Sequence, residues 1–122
     1  MAIKKKPLEW RGSSYKDIKD ENIFTPNARG LAGYQLNKIQ SGDEPDNYKP
    51  FKVVGSGANE LIIDVDSGWF RVMYVAKFEE AVYVLHCFKK KTNQTSHHDK
   101  ELAITRYKDL VQERKKYEQS KK

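Results

Sequence analysis

The sequence predicts an α+β fold: an antiparallel β-sheet, made of a meander plus an N-terminal strand, with an N-terminal helical hairpin and a C-terminal helix. Three observations predict it. Apolar residues recur at helical spacing between Thr25 and Ser41 and again after Ser96. They form strand-like runs between Phe51 and Phe88, and the joints between the later runs are short enough for hairpins.

The elements follow in order. Leu8 and Trp10 alternate with Glu9 and Arg11 in a short strand that Gly12 closes. Ser13 or Ser14 then caps a short helix around Tyr15 to Glu21, with Tyr15 and Ile18 on one face. Thr25 caps a second helix, and Pro26 stands where a missing N–H costs nothing. Ala28, Leu31, Ala32, Gln35, Leu36 and Ile39 line one face of it, and Ser41-Gly42 stops it. These two helices are expected to pair as a hairpin. The acidic, proline-containing segment 43–47 reads as a loop.

From Phe51 the pattern becomes β. Phe51 to Val54 is a short apolar run, and Leu61 to Val65 is joined to Phe70 to Phe78 through Asp66-Ser-Gly68. Ala81 to Phe88 follows a tight turn at Glu79-Glu80. The last two runs are apolar on both sides, which predicts central strands covered by helices on one face. Ser96 and Asp99 have capping-box spacing, and Leu102, Ala103, Tyr107, Leu110 and Val111 form the stripe of a final helix. The charged residues beyond Glu113 are expected to fray.

A chain of 122 residues is one domain's worth, so one domain over 1–122 is expected, with flexible tails at 1–6 and about 114–122. No apolar run approaches the roughly 20 residues needed to cross a bilayer, and residues 1–6 lack the apolar core of an export signal, so a cytoplasmic protein is expected. Cys87 is the sole cysteine and reads as a small core residue. The net charge of +6 favours polyanions, without separating nucleic acid from an acidic protein partner.

Chemistry concentrates at Lys89-Lys-Lys91-Thr92 and Arg71. A hairpin turning at Glu79-Glu80 pairs the start of one strand with the end of the next, so these cations meet at one edge of the sheet. Such a cluster can grip a phosphodiester and stabilise the charge that develops when a ribose 2′-OH attacks phosphorus, without a metal or other cofactor. The alternative is that Arg71 pairs with Asp64 or Asp66 and the lysines form a solvated strand end; on the residues alone that pairing is the slightly better account. His97 and His98, at the start of the last helix, could move protons near neutral pH, or could be exposed turn residues. His86 reads as a core histidine bonded to a backbone group. Cys87, His97 and His98 lack zinc-site spacing and a fourth ligand, so no metal is expected. No nucleotide-binding phosphate loop, hydrolase elbow or zinc-protease motif occurs.

The segments Phe70-Arg-Val-Met-Tyr-Val-Ala-Lys-Phe78 and Ala81-Val-Tyr-Val-Leu-His-Cys-Phe-Lys-Lys-Lys-Thr92 resemble the phage-derived HigB-like branch of the RelE/ParE toxin superfamily. The resemblance extends to Lys6-Pro-Leu-Glu-Trp10, Ala32-Gly-Tyr-Gln-Leu36, Glu101-Leu-Ala103 and Arg106-Tyr107, and covers Pro7 to Leu110. It implies a RelE-like fold and the toxin of a type II toxin–antitoxin pair, a metal-independent endoribonuclease that cuts mRNA on the ribosome. The implied partner is an antitoxin, of helix-turn-helix type. Arg71 resembles the family's phosphate-stabilising arginine, and Lys91 the second basic residue. His97 falls near the family's catalytic tyrosine or histidine, while Lys89, Lys90 and His98 would contact RNA. Ile62 and Asp64 stand where the best-known nucleases carry lysines, which implies slow cleavage or none. ParE-like relatives inhibit DNA gyrase instead, and a degenerate relative would only bind.

Overall fold

The computed structural model describes residues 4–120. Its elements are β1 (Leu8–Trp10), α1 (Ser14–Lys19), α2 (Pro26–Gln40), β2 (Tyr48–Pro50), β3 (Ala58–Val65), β4 (Gly68–Val75), β5 (Val82–Lys90) and α3 (His97–Ser120). The strands form one sheet in the order β1-β5-β4-β3-β2. β2 to β5 pair antiparallel and β1 adds to β5 in parallel, so the α+β fold expected from the sequence is found and is compatible with a RelE-like architecture.

Local chemistry explains the boundaries. Thr25 Oγ1 accepts from the Ala28 N–H at 3.3 Å and Pro26 opens α2, while Gly42, at φ +88°, turns the chain out of it. Ser96 Oγ accepts from the Asp99 N–H at 3.1 Å at the start of α3. Between β3 and β4 only Asp66 and Ser67 are unpaired, and Gly68 takes φ +147°.

The apolar run Phe51–Val54 is not a strand. The Val54 N–H bonds Phe51 O at 3.1 Å in a turn, Val53 is exposed, and the strand lies just before it at Tyr48–Pro50, between the loop 43–47 and the apolar run. Val54 is buried all the same, because the turn folds it under α3. Strand spacing fails here because three residues of β2 carry a polar, proline-ended pattern and the apolar side chains belong to the turn.

Helices cover both faces of the sheet, not one. Ile18 of α1 and Ala28, Ala32, Leu36 and Ile39 of α2 pack with Leu61, Ile63, Phe70, Val72, Tyr74, Val82, Val84 and Cys87. Ala103 and Leu110 of α3 pack on the opposite face with Met73, Val75, Tyr83, Leu85 and Phe88. That is why β4 and β5 are apolar throughout. α1 packs chiefly on β5 and α2 on β3, so each helix of the expected hairpin has its own strand beneath it.

One irregularity sets which side chains share a face. Met73 pairs with His86 and Tyr74 with Val84, so Leu85 is an extra residue in β5. Val84 and Cys87 therefore lie on the same face, whereas Leu85 and Phe88 lie under α3.

The expected tails fall partly outside the described residues, at 1–3 and 121–122. Within them, Lys6 Nζ donates to Ala76 O and Phe78 O, both at 2.9 Å. α3 runs through Ser120, and Arg114 forms a two-pronged bond to Glu80 at 2.7 and 3.1 Å. No helix of the described residues is long and apolar enough to cross a membrane.

Three outcomes test this packing. Thr25→Ala should cost about 1 kcal/mol in urea unfolding with an unchanged denaturant slope. Gly12 has φ +54°, and an added Cβ would run into the Arg106 guanidinium, which donates to Leu85 O and Ser13 Oγ. Gly12→Ala should therefore cost about 1–3 kcal/mol. The hydrogen bond from Arg114 lowers Glu80, against burial, to about 2 from an ordinary 4.5. A carboxyl depressed by folding contributes stability above its unfolded value and loses it as pH falls through the folded one. Arg114→Ala should thus cost a fraction of a kcal/mol at neutral pH, as exposed pairs do, and the gap to wild type should close between pH 4.5 and about 2.

Candidate nucleic-acid interface

The α3-side face of the sheet carries three cross-strand rows. Lys49, Glu60, Met73 and His86 form one, Ile62, Arg71 and Phe88 the next, and Asp64, Trp69 and Lys90 the third. Because charged residues on neighbouring rows lie diagonally within reach, the sheet assembles a cluster of ions beyond the part that α3 covers.

Glu60 is its centre and has no exposed surface. Its Oε1 lies 3.5 Å from Arg71 Nε and 3.6 Å from Lys49 Nζ, and its Oε2 accepts from Thr95 Oγ1 at 2.9 Å. Thr95 thereby ties the segment between β5 and α3 over the cluster. Arg71 is 7% exposed; its Nη1 donates to Asp64 Oδ1 at 2.6 Å and to Phe70 O at 2.9 Å. Glu60 Oε1 and Arg71 Nε are the buried side-chain atoms without a hydrogen-bond partner among the described residues, although they face each other as an ion pair. Such frustrated buried groups call for an explanation in function or strain.

Lys90 is a further cation on the same face. Its Nζ donates to Asn93 O at 2.7 Å, and burial first, then the charge of Arg71, lower its pKa from the ordinary lysine value. The extra Leu85 is responsible for this placement: after the bulge Phe88 and Lys90 share the face of Arg71. Lys89 lies opposite Phe70 on the other face, with its ammonium 5.5 Å from the centre of the Phe70 ring.

The cations expected to gather are therefore separated. Arg71 and Lys90 are brought together, Lys89 is turned away, and Lys91 is exposed one residue past the end of β5. Nor is the cluster purely cationic, since the pairing of Arg71 with Asp64 weighed from the sequence is the one found. His97 is exposed, 3.8 Å from Glu101 on its own helix, and His98 is exposed beside it.

Sequence reasoning missed Glu60 and Lys49. The available signal was a glutamate inside an apolar strand, on the same face as Asp64. It also misplaced the partner of His86, which is buried but meets a side chain: its Nε2 lies 2.7 Å from Asp99 Oδ1 and its Nδ1 3.4 Å from Arg106 Nη1. Burial works to raise Asp99, yet bonds from His86 and Ser96 hold it below the usual carboxylate range. The His86–Asp99 contact thus fastens the start of α3 to β5. Cys87 is a core residue, as expected, and burial pushes its thiol up.

A family model for the phage-derived protein Gp49-like matches residues 22–108. The chain belongs to the phage-derived Gp49-like family. This is a toxin-like group with RelE character, which accounts for the resemblance at that level. Lys49, Glu60, Asp64, Arg71, Lys90 and Thr95 all fall inside the Gp49-like match, whereas β1, α1 and the far end of α3 fall outside it. No curated protein matches the chain.

If Glu60 organises the cluster, Glu60→Leu should leave Arg71 short of a counter-charge and cost about 3–5 kcal/mol, the range for breaking a buried pair. Asp64 is half exposed, so Asp64→Asn should cost under about 1 kcal/mol. Urea unfolding of both variants checks the order.

Proposed function

We propose that this Gp49-like protein is the toxin of a type II toxin–antitoxin pair, of HigB-like kind, and acts as a metal-independent mRNA endonuclease on the ribosome. One observation carries the reading. Three cations, Lys49, Arg71 and Lys90, surround two carboxylates, Glu60 and Asp64, and leave one positive charge, which is what a phosphodiester neutralises. Asp64 and Glu60 engage Nη1 and Nε of Arg71, and Nη2 makes no bond among the described residues. A phosphate oxygen would bind at that free arm.

In this reading Arg71 Nη2 holds the scissile phosphate. Lys90 acts from its neutral amine form, which burial and the charge of Arg71 favour; it takes the proton from the attacking 2′-OH and becomes the ammonium that then faces the phosphate. Lys91, His97 and His98 contact the flanking RNA backbone from exposed positions, and His97 protonates the leaving 5′-oxygen. The antitoxin, a helix-turn-helix protein, would oppose this activity. The free charge is small because Arg71 is already paired, so slow turnover is expected.

The test is cleavage of ribosome-bound mRNA by purified protein, with mapping of the new 5′ ends. Arg71→Ala should lower the rate by about 10²–10³. Lys90→Gln should remove the rise in rate with pH that a lysine of lowered pKa confers. Growth arrest without new 5′ ends would overturn the reading, and inhibition of gyrase supercoiling by the same preparation would replace it with a ParE-like one.

A further inference from the structure

On the face of the sheet opposite Arg71, a cleft of about 330 Å³ opens between the end of α2, the loop after it, and β2 to β4. Its polar walls are Lys6, Asp43, Glu44, Tyr48, Asn59 and Tyr74. Tyr74 is only 2% exposed, yet its hydroxyl makes no hydrogen bond among the described residues. The ring is buried while the oxygen is not itself enclosed, so the hydroxyl opens into the cleft. Here the unpaired oxygen belongs to a side chain that lines the cleft.

The charge of the walls decides what could pair with it. Asp43 and Glu44 outnumber Lys6, whose ammonium is already turned to Ala76 O and Phe78 O. An acid-lined cleft on a protein of net charge +6 repels phosphate and attracts a cation. The cleft is also held ready. The Asp43 N–H bonds Lys38 O at 3.0 Å, and the Asp46 N–H bonds Gln35 Oε1 at 2.9 Å. Lys38 and Gln35 both clasp the Asp46 carboxylate, at 2.7 and 2.8 Å. The loop bearing Asp43 and Glu44 is therefore fastened to α2 before any ligand arrives, which lowers the ordering cost of binding.

We infer that this cleft binds an alkylguanidinium group, with Glu44 and Asp43 facing its charge, Tyr74 Oη accepting one of its N–H bonds, and the Tyr48 ring beside it. A guanidinium fits better than a compact ammonium because its planar fork reaches several acceptors at once. The group could come from a free small molecule or from an arginine side chain of a partner protein. The site shares no residue with the Arg71 cluster, so its fate is separate from that of the nuclease reading.

The experiment is a two-dimensional NMR titration at fixed ionic strength, following the backbone amides of Tyr48, Asn59 and Tyr74. The probes are propylguanidinium, its neutral counterpart propylurea, and a blocked Gly-Arg-Gly peptide. Propylguanidinium should give saturable shifts at these amides, and propylurea should give none. Tyr74→Phe removes one oxygen that holds nothing in the fold, and should weaken binding about three- to tenfold. Glu44→Gln should weaken it about tenfold or more. Tighter binding of the peptide would assign the group to a partner's arginine, and equal or tighter binding of propylguanidinium to a free molecule. Shifts that do not saturate, that are matched by propylurea, or that are unchanged in Tyr74→Phe would overturn the inference.

Discussion

Burying the Glu60 carboxyl is the constraint on which one end of this molecule depends. A carboxylate withdrawn from water costs several kcal/mol unless cations and hydrogen-bond donors surround it. The chain supplies them from four separate segments: Lys49 from β2, Arg71 from β4, Thr95 from the segment before α3, and Lys90 close by on β5. Satisfying one side chain thus fixes the edge strand, brings the segment after β5 across the sheet, and holds Arg71 by its Nε edge. Asp64 holds the next nitrogen of the same guanidinium. The orientation of Arg71 is set from within the protein, which is what a preorganised anion site requires.

A second constraint acts through parity. The extra Leu85 reverses the alternation of β5 halfway along, and so decides that Lys90 and not Lys89 shares a face with Arg71. The same shift sends Cys87 into the α1–α2 core and brings His86 to Asp99 at the start of α3. One inserted residue therefore links the packing of a helix to the composition of the ion cluster.

These two constraints also mark the limits of what the sequence discloses. The cap at Thr25, the hairpin at Asp66-Ser67 and the apolar stripe of α3 are local features, set by residues adjacent in the chain, and they were legible. The register of Met73 against His86 is not local. It arises where two cores on opposite faces must both be filled, and residues 81–88 are all buried and, His86 apart, apolar under either alternation. β2 was missed for a related reason, since Lys49 is placed there by its partner Glu60 and not by any strand pattern of its own. In the candidate site, Arg71 and its pairing with Asp64 could be read from their spacing along a hairpin. Glu60 could not, because its importance lies in being enclosed, and enclosure is a property of the assembled layers.

The ion cluster bears on how the proposed chemistry would have to work. With one net positive charge, Lys49, Glu60, Asp64, Arg71 and Lys90 can neutralise a bound phosphodiester but hold no surplus for the additional charge of the attacked phosphorus. That surplus must come from the rim, where Lys91 is exposed, or from cations brought by the target itself. Paired carboxylates therefore trade electrostatic power for a fixed guanidinium geometry. Such a site gains most of its catalytic advantage by positioning, and an RNA already held rigidly at its working surface is the substrate on which positioning counts for most.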